Sequence, residues 1–254
     1  MFVTVLVLLG LSLADGSLSL APAEGNALHY VIDISSWDST FNGNTCKNAG
    51  CHAVLCRSAY GMRADSTFAT FMKSANSAGL GAGAYNYATW HYKSVSSNYN
   101  DALANAKKEA NYFVSRLNSV TVTSYVALDM EIESSASTVL SSSQLTDISN
   151  TYMNILRSAG YKVLLYANAD WVFNRLVTNK IAYPLWIAYY WRYGTPLDFS
   201  SHDGSFPNTS YGQKMKAISS KITMWQFTDE GYGKKYGSGA SDMDKSYAYA
   251  QVKF

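Results

Sequence analysis

Short apolar runs of strand type alternate with amphipathic patterns of roughly 12 to 18 residues, and this alternation restricts the fold more than any other feature. Strand-like runs fall at residues 29–35 (HYVIDIS), 52–61, 80–90, 125–134, 161–168, 183–191 and 221–231. Helical patterns lie between them. Phe68, Phe71, Met72 and Ala75 share one face over 66–79, with Gly79 as the stop. Leu103, Ala106, Ala110, Phe113, Val114 and Leu117 form a stripe over 101–119. Residues 142–160 begin on serine and end at Gly160, and a segment at 239–248 closes the chain. Interleaving of this kind predicts a parallel α/β sheet. Seven or more strands without a break in composition predict one irregular TIM-like (β/α) barrel over 28–254, with ligands bound at the carboxyl ends of the strands. Gly/Ser/Asn-rich residues 194–213 read as a long surface loop, in which Asn208-Thr209-Ser210 fits a glycosylation acceptor.

The run YVALDMEIES, 125–134, sets a physical problem. Asp129, Glu131 and Glu133 stand at alternate positions of an otherwise apolar strand, so all three face one way. Burying a carboxylate is costly unless it is paired, hydrogen-bonded or protonated. Other strand ends carry acids or aromatics as well. Asp33 closes the first strand, Tyr60 the second, and Tyr85 and Tyr87 the third. Tyr189 and Trp191 follow LWIA, Trp225 and Gln226 follow ITM, and Asp242 and Asp244 lie in the last segment. Single acids at such places are ordinarily solvated or paired with a cation, here Arg57, Arg63 or Lys162. An acidic centre with an aromatic rim suits glycoside hydrolysis, in which carboxyl groups transfer the proton and stabilise an oxocarbenium-like state.

Composition narrows the alternatives. Charged residues make up only 15% of the chain, while 20 Tyr and 6 Trp are present, which excludes a disordered or coiled-coil protein. A net charge of +2 without a basic stripe gives no footprint for nucleic acid. Phe2 to Leu13 has the length of a signal-peptide core and is followed by small residues. We read 1–23 as a signal peptide and pro-like segment, and the mature chain as secreted, monomeric and free of the membrane. Cys46 and Cys51 flank a short loop and are expected to form a disulfide, while Cys56 reads as a buried apolar residue of a strand. His52 alone stands near these thiols, so no metal site is expected. Nor is any cofactor. The Ser-rich stretch after Glu133 lacks a nucleophile-elbow pattern.

In order along residues 28–254, VIDISSWD, AVLCRSAYG, GAYNYA, VALDMEIE, YPLWIAYY, MWQFTDEG and SDMDKSYA resemble the strand motifs of glycoside hydrolase family 25, the Chalaropsis-type lysozymes. The resemblance implies a muramidase cutting the β-1,4 bond between N-acetylmuramic acid and N-acetylglucosamine of bacterial peptidoglycan. It implies Glu131 as proton donor, with Asp129, Asp33 and Asp242 as further active-site acids. It places Tyr166, Trp186, Tyr189 and Trp225 along the sugar groove, beside the substrate-binding candidates Tyr60, Tyr85, Tyr87 and Gln226. The chain departs from the family pattern at Val31, Asp38, Ser39, Asn86 and Asp244, and Glu133 adds a charge.

Asp129 and Glu131 are about 6.6 Å apart along a strand and project from one side of it, a poor arrangement for attacking opposite faces of one carbon. Substrate assistance by the 2-acetamido group resolves this, with Asp129 orienting the acetamide, Glu131 protonating the leaving oxygen and net retention as the outcome. Crowding is expected to leave the proton on Glu131. Glu133 is expected to be solvated or to touch a sugar subsite. Two competitors follow from the same residues. One is a chitinase of the D-x-D-x-E type, which would need an acid where Ala127 stands; the other is a glycan-binding lectin that has lost turnover.

Overall fold

The computed structural model describes residues 28–132 and 136–249. Its strands are β1 (His29–Ile34), β2 (Ala53–Tyr60), β3 (Arg63–Ala64), β4 (Gly81–Tyr87), β5 (Val126–Asp129), β6 (Val163–Asn168), β7 (Leu185–Ala188), β8 (Ile222–Thr228) and β9 (Asp244–Ala248). They form one sheet in the order β1-β9-β8-β7-β6-β5-β4-β2-β3, and a β1–β2 pairing closes it into a barrel. The β3 pair is a hairpin extension folded back on the end of β2. Gly61 makes that turn at φ 57°, a conformation few side chains tolerate.

The expected irregular (β/α) barrel is present. All neighbouring pairs from β1 round to β8 are parallel, whereas β9 runs antiparallel to both β8 and β1. Loop 229–243 leaves β8 at its carboxyl end and feeds β9 from that same end, so no crossover helix is needed. The residues that open β9 therefore lie beside those that close the parallel strands.

Helices α1 (Gly43–Asn48), α2 (Phe68–Ser77), α3 (Tyr99–Leu117), α4 (Ser142–Ser158) and α5 (Ser210–Ala217) cover the outside. Asn98 caps α3 by accepting from the Asp101 amide, and Ser141 with Gln144 forms a capping box on α4. Ala102, Ala106, Ala110, Phe113 and Leu117 face inward along α3, and Leu145, Ile148, Tyr152, Met153 and Leu156 along α4. None of the helices among the described residues is long and apolar enough to cross a membrane.

Two cores result from the alternation of each strand. Outward side chains such as Ile32, Val54, Ala84, Leu128, Leu165, Ile187 and Trp225 join the helices in an outer core. Inward side chains Val31, Ala53, Leu55, Ala127, Leu164, Trp186, Met224 and Ala248 fill the barrel. Gly83 lets β5 approach: a Cβ there would sit 2.4 Å from the Tyr125 carbonyl oxygen. The 194–213 segment is more than the surface loop expected from its composition. Leu197 and Phe199 are buried, and Lys245, itself fully enclosed, pairs with Asp198 at 3.1 Å, fastening the segment against β9.

The expected Cys46–Cys51 disulfide is not formed. All three thiols are free and buried, with Cys46 and Cys51 side by side in a thiol–thiol hydrogen bond that, with burial, raises Cys46. The intervening turn is already closed by the Cys51 amide donating to the Cys46 carbonyl at 3.2 Å. Cys56 is fully buried in the outer core as expected.

Candidate active site

Toward the carboxyl end of the barrel the inward positions change from apolar to functional. Val31 is followed by Asp33, Leu55 by Arg57, Ala127 by Asp129, Leu164 by Tyr166 and Met224 by Gln226, each two residues on. Tyr87, Asp129, Tyr166 and Trp186 are lateral neighbours in register across β4 to β7, and Asp33 faces Asp244 across β1 and β9. These groups line a cleft of about 370 Å³ that also takes in Asp38, Glu131, Asp229 and Asp242. Arg57 is the one cation among its described lining residues, and a 3.0 Å bond to Asp65 already occupies it.

So many acids around one cavity cannot all ionise. Strand β5 ends at Asp129, which is 2% exposed, and the chain carries Glu131 just beyond it into the open part of the cleft. Burial raises both carboxyls, and they share a hydrogen bond. Asp129 is raised well above the carboxylate range by burial and by the nearby Glu131, and Glu131 is raised by burial, so the pair holds a proton where isolated carboxyls would be ionised. Asp129 Oδ1 is buried without a hydrogen-bond partner among the described residues.

A second acid pair lies opposite. Burial pushes Asp33 up to about 7, against hydrogen bonds from Gln226 and Asp244 that favour its ionised form. Asp244 is raised well above the carboxylate range by burial and by Asp33. The Gln226 amide fixes the arrangement: its nitrogen donates to both Asp33 oxygens at 3.2 and 3.0 Å, and its oxygen accepts from Tyr166 at 2.8 Å and Tyr190 at 2.5 Å. Trp186 donates its indole N–H to Ser246 at 2.9 Å and meets Tyr166 edge-on at 4.5 Å, which holds both rings. The acid segment is also held from behind. His91, lowered to about 4 by burial and hence neutral, donates from Nε2 to the Glu131 carbonyl oxygen at 2.7 Å.

Of the residues expected from sequence, Asp33, Asp129, Glu131, Tyr85, Tyr87, Tyr166 and Trp186 line the cleft, and Gln226 lies immediately behind it. Asp242 lines only the mouth and is exposed, and the deep position belongs to Asp244. Tyr189 and Trp225 do not reach the cleft. Trp225 is wholly buried in the outer core and donates to the Tyr189 carbonyl at 3.0 Å, while the Tyr189 hydroxyl bonds Thr209 at 2.9 Å. Each is one residue from an inward neighbour and so points outward. Tyr60 lies in an adjoining groove. Glu133 lies outside the described residues. Sequence reading missed Arg57, Asp38, Tyr190, Asp229 and Asp244 as members of the site. Arg57, Tyr190 and Asp244 were recoverable by counting in twos from Leu55, Trp186 and Ala248.

Residues 32–235 match the family model of glycosyl hydrolases family 25. The chain belongs to that family. Family 25 membership makes it a glycoside hydrolase, and solved structures repeat its fold at low identity. The catalytic domain of the endolysin ply40, from bacteriophage P40 of Listeria monocytogenes, is 22% identical with a TM-score of 0.64, covering 89% of this chain and 95% of that domain. A muramidase from Trichobolus zukalii is 24% identical with a TM-score of 0.58, over 87% of this chain and 93% of its own. The CTP1L endolysin is 24% identical with a TM-score of 0.63 over 87% of this chain, which spans 66% of that longer protein. A search of curated protein sequences gave no significant match.

Proposed function

We propose that this family 25 hydrolase is a secreted muramidase, cutting the β-1,4 bond between N-acetylmuramic acid and N-acetylglucosamine in bacterial peptidoglycan. The observation that carries the reading is the Asp129–Glu131 pair. One proton is shared between a buried acid with an unpartnered oxygen and a second acid open to the cleft. A 2-acetamido group bound over Asp129 would give that oxygen its missing donor and draw the shared proton across to Glu131. Glu131 then protonates the leaving glycosidic oxygen while the acetamide oxygen attacks the anomeric carbon. Asp129, now ionised, steadies the positive oxazolinium, and Glu131 returns as base for the incoming water. Retention follows.

Asp33 and Asp244 face this pair across the cleft; burial holds both carboxyls above their ordinary range, and positive charge developing on the sugar would favour their ionised forms. The buried Tyr166 and Trp186 rings form part of the cleft wall against which the sugar would rest. Arrival at the bacterial wall follows if residues 1–23 direct export.

The test is the identity of the new reducing end. Digested peptidoglycan is reduced with borohydride, hydrolysed and examined by mass spectrometry, with Glu131→Gln as the blank. Muramitol as the dominant new end supports the proposal. Glucosaminitol from peptidoglycan, or cleavage confined to chitin, assigns a glucosaminidase or chitinase instead, and release of neither from a folded protein assigns a lectin.

A further inference from the structure

Beside the acid cleft lies a second cavity of about 800 Å³, lined by Ser36, Trp37, Arg57, Tyr60, Arg63 and Tyr87. Trp37, Arg57 and Tyr87 line both spaces, so the two adjoin. Their electrostatics are opposed. The main cleft carries seven carboxyl residues, Asp33, Asp38, Asp129, Glu131, Asp229, Asp242 and Asp244, whereas no carboxylate is among the described residues lining the groove. What lines it is cationic and aromatic. Tyr60 and Tyr87 stack at 4.7 Å and 10°, the Arg63 guanidinium stands 5.8 Å over the Tyr60 ring, and Trp37 is 83% exposed. Arg57 is committed to Asp65 and Ser36. Arg63 is exposed on the β3 hairpin and makes no ion pair among the described residues.

We infer that this groove is a binding site for the carboxylate-bearing stem peptide of the substrate, with Arg63 as its ion-pairing residue and Trp37 and Tyr60 as its apolar wall. The inference rests on the muramidase reading and specifies the substrate class: peptide-substituted glycan rather than bare polysaccharide. A muramyl sugar carries its peptide on an arm that must leave the cleft near the scissile bond. Within the cleft that arm's carboxylates would meet seven acids. In the groove they meet a cation without an ion-pair partner among the described residues, whereas the cleft offers them carboxyl groups and, among its described lining, only Arg57, already paired with Asp65. The β3 hairpin exists in this fold only as an extension of β2, and its role here is to carry Arg63 to the rim.

Three substrates and three variants test this. Soluble peptide-bearing glycan strands, the same strands after amidase removal of the peptides, and chito-oligosaccharides differ in the group the groove would hold. Stripped strands retain the lactyl carboxylate, so the arms separate the two anion sources. For Arg63→Ala we expect KM on peptide-bearing strands to rise roughly five-fold at low salt with kcat unchanged, and Arg63→Glu to raise it further. Arg63→Lys restores most of the loss, and added salt raises KM for the wild type while leaving Arg63→Ala flat. Neither loss extends to stripped strands or chito-oligosaccharides. Equal losses on stripped strands, losses on chito-oligosaccharides, or no loss on any substrate each overturn the inference. Thermal unfolding of each variant separates misfolding from lost recognition. If the wild type cuts no muramyl bond at all, it is the parent reading that fails.

Discussion

Along β5 the inward positions are Ala127 and then Asp129; along β8 they are Met224 and then Gln226; along β1, Val31 and then Asp33. In the lower half of the barrel these positions are apolar, closely packed and without exposure. The upper half is built on the same strands with the same alternation, yet it gathers carboxyl groups that burial holds away from their ordinary pKa. Packing density makes the lower half a source of stability. The upper half consumes some of it, since each raised carboxyl opposes folding at neutral pH. A closed barrel, parallel in every strand but β9, can carry that cost in one place because the lower layer fixes the strands. Function is concentrated where the packing is poorest in apolar contact.

The largest test of this division removes one proton carrier. Glu131→Gln should lower turnover on peptidoglycan by roughly 10²- to 10⁴-fold, the range general acid catalysis contributes. Its thermal midpoint at pH 7 should be unchanged or higher, because a buried charge has been removed. The lower half should respond in the opposite sense. Leu164→Ala, at a fully enclosed inner position, should cost about 2–5 kcal/mol in urea unfolding while kcat per folded molecule stays within about two-fold. An equal loss of activity in that variant would erase the distinction between the halves.

Proton uptake sharpens the comparison further. Asp33 and Glu109 are both raised to about 7 by burial, so between about pH 4 and 7 the folded chain binds more protons than the unfolded chain. Stability should therefore fall as pH rises through that window, with a midpoint lower by roughly 5 °C at pH 8 than at pH 5. Below about pH 4 the sign reverses. Asp65 and Asp198 are lowered by their hydrogen bonds and cationic partners, and their contribution disappears as they protonate. Glu109 caps the Thr89–Trp90 turn outside the cleft, so Glu109→Gln should flatten part of the upper limb and leave the pH–activity profile in place. The smallest expected effect separates the strand faces. Tyr190→Phe removes a donor from Gln226 and should lower kcat/KM by about ten-fold. Tyr189→Phe, on the outward face, should change it by less than about two-fold.

Much of this was legible in the sequence. Period-2 and period-3.6 patterns located the strands and helices, and the acids after Val-Ala-Leu marked the end of β5. Two kinds of error remained, each with a physical source. Trp225 and Gln226 were both assigned to the groove, though adjacent strand residues cannot share a face; consistent alternation would have kept Gln226 and sent Trp225 outward. Asp242 came from the family resemblance and lines the cleft, but the resemblance did not bring in Asp244 beside it. Only the antiparallel pairing of β9 with β1 shows that its first residue, Asp244, opposes Asp33. The free Cys46 and Cys51 thiols and the raised Asp129–Glu131 pair belong to three-dimensional packing, which no local pattern encodes.

The central claim is that Asp129 and Glu131 share one proton across the pH range in which an isolated carboxyl would be ionised. Carboxyl ¹³C NMR of the intact protein, with Asp129→Asn and Glu131→Gln spectra for assignment, observes that proton directly. The account predicts coupled resonances, one carboxyl still protonated at pH 6 and the pair losing its last proton only well above the usual carboxylate range. Two independent titrations completed below pH 5 would contradict it.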